Sequence, residues 1–237
     1  MRKGLSAALA LLALAVAAAP AAAIEPPNMH KFVGSENVEP KFTGESQEFV
    51  LKPFTVTCEK AKGKNSGAAT FPSKNLTAVV KYSGCEAEAT IGKAEYTLKA
   101  KFGGPVTLNY HAGGYVELGT GGTIKEGKLE GAGAVEISVK GAFKCTISIA
   151  AGTYPAAVAK KPEAEYEAAK FTNKEETVVK GKKSTVVKTL GIANTVTKLP
   201  YEIEGEFCEA LPKTEFGNGS YSGSLVAEIK KGDIGWE

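Results

Sequence analysis

From Val135 to Ala150 the chain reads VEISVKGAFKCTISIA, two runs in which apolar and polar residues alternate strictly on either side of Lys140-Gly141-Ala142. A period of two gathers the apolar side chains on one face of an extended strand, which the 3.6-residue period of a helix cannot do. The stretch predicts a β-hairpin, with Val135, Ile137 and Val139 sharing a face with Phe143, Cys145, Ile147 and Ile149. The pattern recurs along the chain. Phe54, Val56 and Cys58 alternate with threonines, and a loop rich in Gly, Lys, Asn and Ser is expected from Lys60 to Ala69. Leu76, Ala78, Val80 and Tyr82 alternate up to Gly84-Cys85. Tyr96, Leu98, Ala100 and Phe102 lead into Gly103-Gly104-Pro105, after which Val106, Leu108 and Tyr110 alternate again, a second hairpin signal. Short strands are expected near Tyr115, Thr123 and Leu129 between the glycines that follow, and longer ones around Val178, Val186, Tyr201 and Tyr221. Pro162 to Lys170 fits both a short helix, through its proline, early glutamates and closing lysine, and a strand, through the alternation of Ala164, Tyr166 and Ala168. Many short strands with glycine punctuation predict an all-β, β-sandwich or jelly-roll-like fold, not a βαβ sheet.

The chain opens with Arg2 and Lys3, an apolar run from Leu5 to Ala19 and the small residues Ala21-Ala22-Ala23, the pattern of a signal peptide over residues 1–23 with cleavage after Ala23. The apolar run is shorter than a bilayer requires, and no later segment is long and apolar enough for a membrane span. Residues 24–48, with Pro26, Pro27 and Pro40, read as an extended N-terminal arm. Residues 49–237 form the expected β-sandwich body, with 49–134 and 135–237 as two candidate lobes. Removal of Arg2 and Lys3 leaves 27 basic against 26 acidic residues, and every remaining cation is a lysine. Without arginine's planar fork for phosphate and guanine, nucleic acid is a poor partner. Lysine and glutamate alternate instead of forming blocks, the pattern of a solvated surface.

Four cysteines in an exported chain predict two disulfides with three connectivities. An internal echo selects one. Phe54-Thr-Val-Thr-Cys58 resembles Phe143-Lys-Cys145 as an aromatic-led cysteine strand, and Leu76 precedes Cys85-Glu-Ala by the same nine positions that separate Leu199 from Cys208-Glu-Ala. The expected pairs are Cys58 with Cys85 and Cys145 with Cys208. Counted from Leu76 or Leu199, both late cysteines fall opposite the apolar face, which calls for a bulge near Gly84 or Gly205, or a place in the turn beyond the strand.

The residue inventory narrows the chemistry. His30 lies in the proline-rich arm, His111 after a strand and beside Gly113-Gly114 as an exposed loop imidazole, and Asp233 is the only aspartate; no nucleophile elbow accompanies them. The cysteines are accounted for as disulfides, so no zinc set remains, calcium loops are absent, and no cofactor is expected. The glycine clusters at 119–122 and 131–133 precede no helix and read as turns. Paired glutamates across a sugar groove are the one catalytic option composition permits. Most glutamates, Glu117, Glu136 and Glu202 among them, occupy polar strand positions facing solvent. Carbohydrate or wall-polymer binding is the better functional expectation, with Tyr115 and Trp236 as the ligand-facing aromatics, whereas Tyr82, Tyr96 and Tyr110 fall on apolar faces and belong to the core.

The segments FTVTCEKAKG, VVKYSGCEA, FKCTISI, LGIANTVTKLPYEIEGEFC and GNGSYSGSLVAEI resemble a loose group of exported all-β proteins of high-GC Gram-positive bacteria. That resemblance spans most of residues 50–237 and implies an extracellular β-sandwich with structural cysteines and no assigned activity. The expectation is thus a secreted, disulfide-stabilised, non-enzymatic binding or structural module for a cell-wall polymer, a glycan or another extracellular protein. The alternative is a glycan-active hydrolase using two glutamates.

Overall fold

The structure, a computed structural model, describes residues 30–91, 93–119, 124–125, 128–129, 134–139, 143–154, 167–180, 183–205, 218–230 and 232–237. Residues 1–23, expected to be a signal peptide, residues 162–166 of the ambiguous stretch and Cys208 lie outside the described residues. Among the described residues the regular elements are all strands: β1 (Phe32–Gly34), β2 (Lys41–Leu51), β3 (Phe54–Asn65), β4 (Asn75–Ile91), β5 (Ala94–Phe102), β6 (Val106–His111), β7 (Tyr115–Gly119), β8 (Ile124–Lys125) and β9 (Lys128–Leu129) in the first half. The second half supplies β10 (Ala134–Val139), β11 (Phe143–Ile149), β12 (Gly152–Tyr154), β13 (Ala169–Lys180), β14 (Lys183–Leu199), β15 (Tyr201–Glu204), β16 (Gly219–Glu228) and β17 (Ile234–Trp236). The hairpin expected at 135–150 is β10 and β11, paired from Ala134 with Ser148 to Val139 with Phe143.

One antiparallel sheet dominates, in the order β13-β14-β16-β2-β3-β4-β5-β10-β11-β15, and it forks at β4. The first part of β4, Asn75 to Val80, pairs with β6, and β6 continues to β7 and β12. The second part, Cys85 to Ile91, pairs with β5. The sheet can divide there because three neighbouring strands kink on one line. In β2 the buried residues run Phe42, then Gln47, Phe49, Leu51; in β3 they run Phe54, Val56, Cys58, then Ala61, Asn65; in β4 they run Leu76 to Tyr82 at even positions, then Cys85, Ala87, Ala89. The parity changes at Glu45-Ser46, Glu59-Lys60 and Ser83-Gly84, where both residues of each pair are exposed. Cross-strand register is the same on either side of the kink. Ser46 (φ 52°) and Gly84 (φ 64°) supply the left-handed turn of backbone. Cys85 is thereby brought onto the inner face directly opposite Cys58, and the two form a disulfide. Cys145 is also disulfide-bonded.

The core closes around four rings from four strands. Phe49 stacks on Tyr221 at 4.5 Å between centroids and meets Tyr82 edge-on at 5.2 Å and Phe102 at 5.0 Å. A polar seam runs through it: Tyr82 donates to the Tyr221 hydroxyl (3.2 Å), Tyr221 donates to Gln47 Oε1 (2.7 Å), and Gln47 Nε2 donates to the carbonyls of Glu45 (2.9 Å) and Ser224 (2.8 Å). Gln47 is fully buried, and the seam is compact only because its neighbour on β16 is Gly223, where a Cβ would lie 2.3 Å from Gln47 Oε1. Burial raises the phenol pKa values of Tyr82, Tyr110 and Tyr221, and their mutual charge adds to the effect.

Four expectations are corrected. The arm expected over 24–48 contains β1 and most of β2, and β2 is an interior strand between β16 and β3; Phe32 and Phe42 are buried, so hydrophobic burial outweighs the local prolines. Of the loop expected from Lys60 to Ala69, Lys60 to Asn65 are instead the second half of β3, because β2 pairs with it through Lys64 and β4 through Asn65. The candidate lobes do not divide the strands, since β16 from the second half pairs with β2 from the first and one core cluster takes residues from both. Tyr96 is 44% exposed, as it lies near the tip of the β4–β5 hairpin, where Ala94 to Thr97 are all exposed.

Candidate functional site

The clearest constellation of polar side chains is on the outer face of β4, β6, β7 and β12. Alternation on these strands sends Leu108, Tyr110, Val116 and Leu118 inward, and so sends Asn109, His111, Tyr115 and Glu117 outward. Register then lines up Thr77, Asn109, Glu117 and Thr153 across four strands, with His111 opposite Tyr115 in the next pair. Thr77 Oγ1 donates to Asn109 Oδ1 (2.9 Å), Asn109 Nδ2 donates to Glu117 Oε2 (2.9 Å), and His111 Nε2 lies 3.2 Å from Glu117 Oε1, to which it donates when that nitrogen carries the proton. The His111 and Tyr115 rings stack at 4.0 Å and 12°.

His111 is therefore not an exposed loop imidazole. It is the last residue of β6, and its side chain is only 14% exposed because the Tyr115 ring covers it. Glu117 faces outward as expected, but it is held by an amide and an imidazole. The sequence signal for this cluster was available in the alternation of LNYH and YVEL, though no local feature showed that the two strands would be neighbours.

Trp236 comes to the same end of the molecule with a different role. Its Nε1 donates to the carbonyl of Ala112 in the β6–β7 turn (3.0 Å), His30 stacks on it at 4.4 Å, and Phe171 packs against it at 5.9 Å. Asn173 grips its backbone twice, donating to the carbonyl and accepting from the N–H, both at 2.8 Å. Trp236 thus staples the small β1–β17 sheet onto the body. A groove of about 480 Å³ runs beside it, lined by His30, Gly113, Gly114, Lys170 and Thr172 among others.

Among the described residues, no three His, Cys, Asp or Glu side chains converge as metal ligands, and no helix is long and apolar enough to cross a membrane. Burial raises the phenol pKa values of Tyr82, Tyr110, Tyr154 and Tyr221, all four of them core residues and none of them on this outer face. No protein-family model, no curated protein and no solved structure matches the chain.

Proposed function

We propose that this protein is an exported, non-enzymatic binding module that holds a glycan or wall polymer against the outer face of β6 and β7. The observation that carries the reading is the His111–Tyr115 stack beside the Asn109–Glu117 pair. Sugars present hydroxyls at their edges and C–H groups on their faces. A fixed carboxylate and amide complement the first, and an aromatic surface complements the second. Because the supporting strands are paired on both sides, the polar groups are held in place before a ligand arrives, which lowers the ordering cost of binding. The Cys58–Cys85 disulfide fits an oxidising compartment, as the signal pattern at residues 1–23 requires.

Pull-down on insoluble wall polymers and polysaccharides tests the reading. Retention without release of new reducing ends is expected, with Tyr115→Ala and Glu117→Ala each reducing retention and leaving the melting temperature close to that of the parent protein. Retention unchanged in both variants refutes the site, and release of new reducing ends refutes the non-enzymatic assignment.

A further inference from the structure

The outer face just described continues across β4 onto β3 and β2, and there its charge changes. Lys41, Lys60, Lys62, Lys64 and Lys81 all point outward and are exposed. Register places Lys41 directly opposite Lys64, and Lys62 directly opposite Lys81. Like charges in facing positions of antiparallel strands destabilise a sheet, so two such pairs side by side are a cost to the fold. No carboxylate among the described residues lies within ion-pair distance of any of the five. Across the kink line the same surface carries Glu48, Glu59, Glu86 and Glu88, all exposed. Lysines thus predominate on one side of the bend, where Glu45 at the bend itself faces Lys60, whereas beyond the bend these glutamates are mixed with Lys99 and Lys101 of β5.

The cationic field and the His111–Tyr115 cluster are joined without a barrier. The row Lys64, Val79, Thr107, Gly119 crosses from β3 to β7 and contains no carboxylate. Its side chains shorten toward Gly119, leaving a low track beside the row that holds Asn109 and Glu117. Along β3 the lysines repeat every second residue, about 6.8 Å apart, and β3 and β7 are separated by three strand spacings of about 4.8 Å. One extended chain can therefore span both regions.

We infer that the ligand of this face is an acidic polysaccharide, with its carboxylates over the lysines of β2, β3 and β4 and a sugar ring against His111 and Tyr115. The inference rests on the glycan-binding reading above and names its substrate class. Lysine is a compact hydrated cation on a flexible stem, suited to charges spaced along a polymer and not to bidentate reading of a phosphate or a base. Arg2, in the signal segment, is the only arginine in the sequence. Among the described residues of β6 and β7 the outward rings are His111 and Tyr115, stacked on each other as one surface, so there is no ladder on which successive bases could stack.

Binding of polygalacturonate, neutral dextran and oligo(dT) to the oxidised full-length mature protein tests it at about 0.15 M salt, where charges more than about 8 Å apart are largely screened. Polygalacturonate is expected to bind more tightly than the other two and to weaken as salt rises. The double variant Lys62→Glu with Lys64→Glu should weaken it about tenfold or more with no loss of melting temperature, because it also removes the facing lysine pairs. Lys99→Glu with Lys101→Glu, on β5 beyond the kink, should leave binding unchanged. If dextran binds as tightly as polygalacturonate and the Lys62/Lys64 variant changes neither, the acidic class is overturned while the glycan-binding reading stands. If oligo(dT) binds as well as polygalacturonate, the face is a general polyanion surface and the assignment falls. If Tyr115→Ala leaves polygalacturonate binding intact, or no polymer binds, the glycan-binding reading and the inference built on it fail together.

Discussion

The Gln47 seam gives the sharpest quantitative test of how this core is held. Gln47→Leu keeps the side chain's approximate volume but removes two donated bonds and one accepted bond, leaving the carbonyls of Glu45 and Ser224 and the Tyr221 hydroxyl without this partner. A buried group left unpaired costs about 1–3 kcal/mol, so the substitution should cost about 3–5 kcal/mol. That is a large share of the roughly 5–15 kcal/mol that keeps a domain folded. Tyr221→Phe strands only Gln47 Oε1 and the Tyr82 hydroxyl and should cost about 2–3 kcal/mol. Because the two side chains share a bond, the double variant should be about 1–2 kcal/mol less damaging than the sum of the single ones. Tyr110→Phe is the internal control. Its hydroxyl is buried outside the Gln47 seam and faces the Asn194 side chain, so its removal should cost no more than about 1 kcal/mol. The assay is urea unfolding with disulfides intact, followed by fluorescence of the single tryptophan, Trp236, and by far-ultraviolet circular dichroism. A Gln47→Leu cost below about 1 kcal/mol, or single variants that add within about 0.5 kcal/mol, would refute the seam as a coupled network.

Alkaline unfolding should be steep. Tyr82, Tyr110 and Tyr221 have raised folded pKa values, so the stability they contribute is complete below about pH 10 and declines above it, by about 4 kcal/mol per pH unit if all three titrate only on unfolding. Phenolate absorbance for these three should appear together with loss of the circular dichroism signal; early ionisation in the folded state would contradict their burial. Replacing Cys58 and Cys85 together by alanine opens a loop with a sequence separation of 27. By chain entropy that should lower stability by about 3–4 kcal/mol in the same urea assay, and a change below about 1 kcal/mol would show that β3–β4 pairing alone constrains the unfolded chain. Gly84→Ala puts a Cβ 2.8 Å from Glu59 Oε2 at a residue with φ 64°, and should cost about 1–2 kcal/mol. A neutral result would mean that the kink relaxes without strain.

Period two in the sequence determined which residues of each strand share a face, and that was enough to anticipate the all-β fold and the hairpin at 135–150, while the echo in cysteine spacing anticipated the Cys58–Cys85 pair; the change of face expected near Gly84 is there, but as a kink with continuous register and not as a bulge. These are local matters, decided by spacing and by glycine's access to positive φ. What the sequence could not determine was adjacency between distant strands. Lys60, Lys62 and Lys64 stand at strand spacing in plain view, yet read along the chain they look like ordinary solvated charge. Only the registers that set Lys41 against Lys64 and Lys81 against Lys62 turn them into a cationic field, and only β6–β7 pairing brings His111 to Tyr115 and Glu117 to Asn109. The same holds for the N-terminal segment, whose prolines suggest a linker until β16, some 180 residues later, supplies the ladder that makes β2 an interior strand. Side-chain direction is a property of a few consecutive residues, whereas register is fixed by the burial of a core assembled from the whole chain.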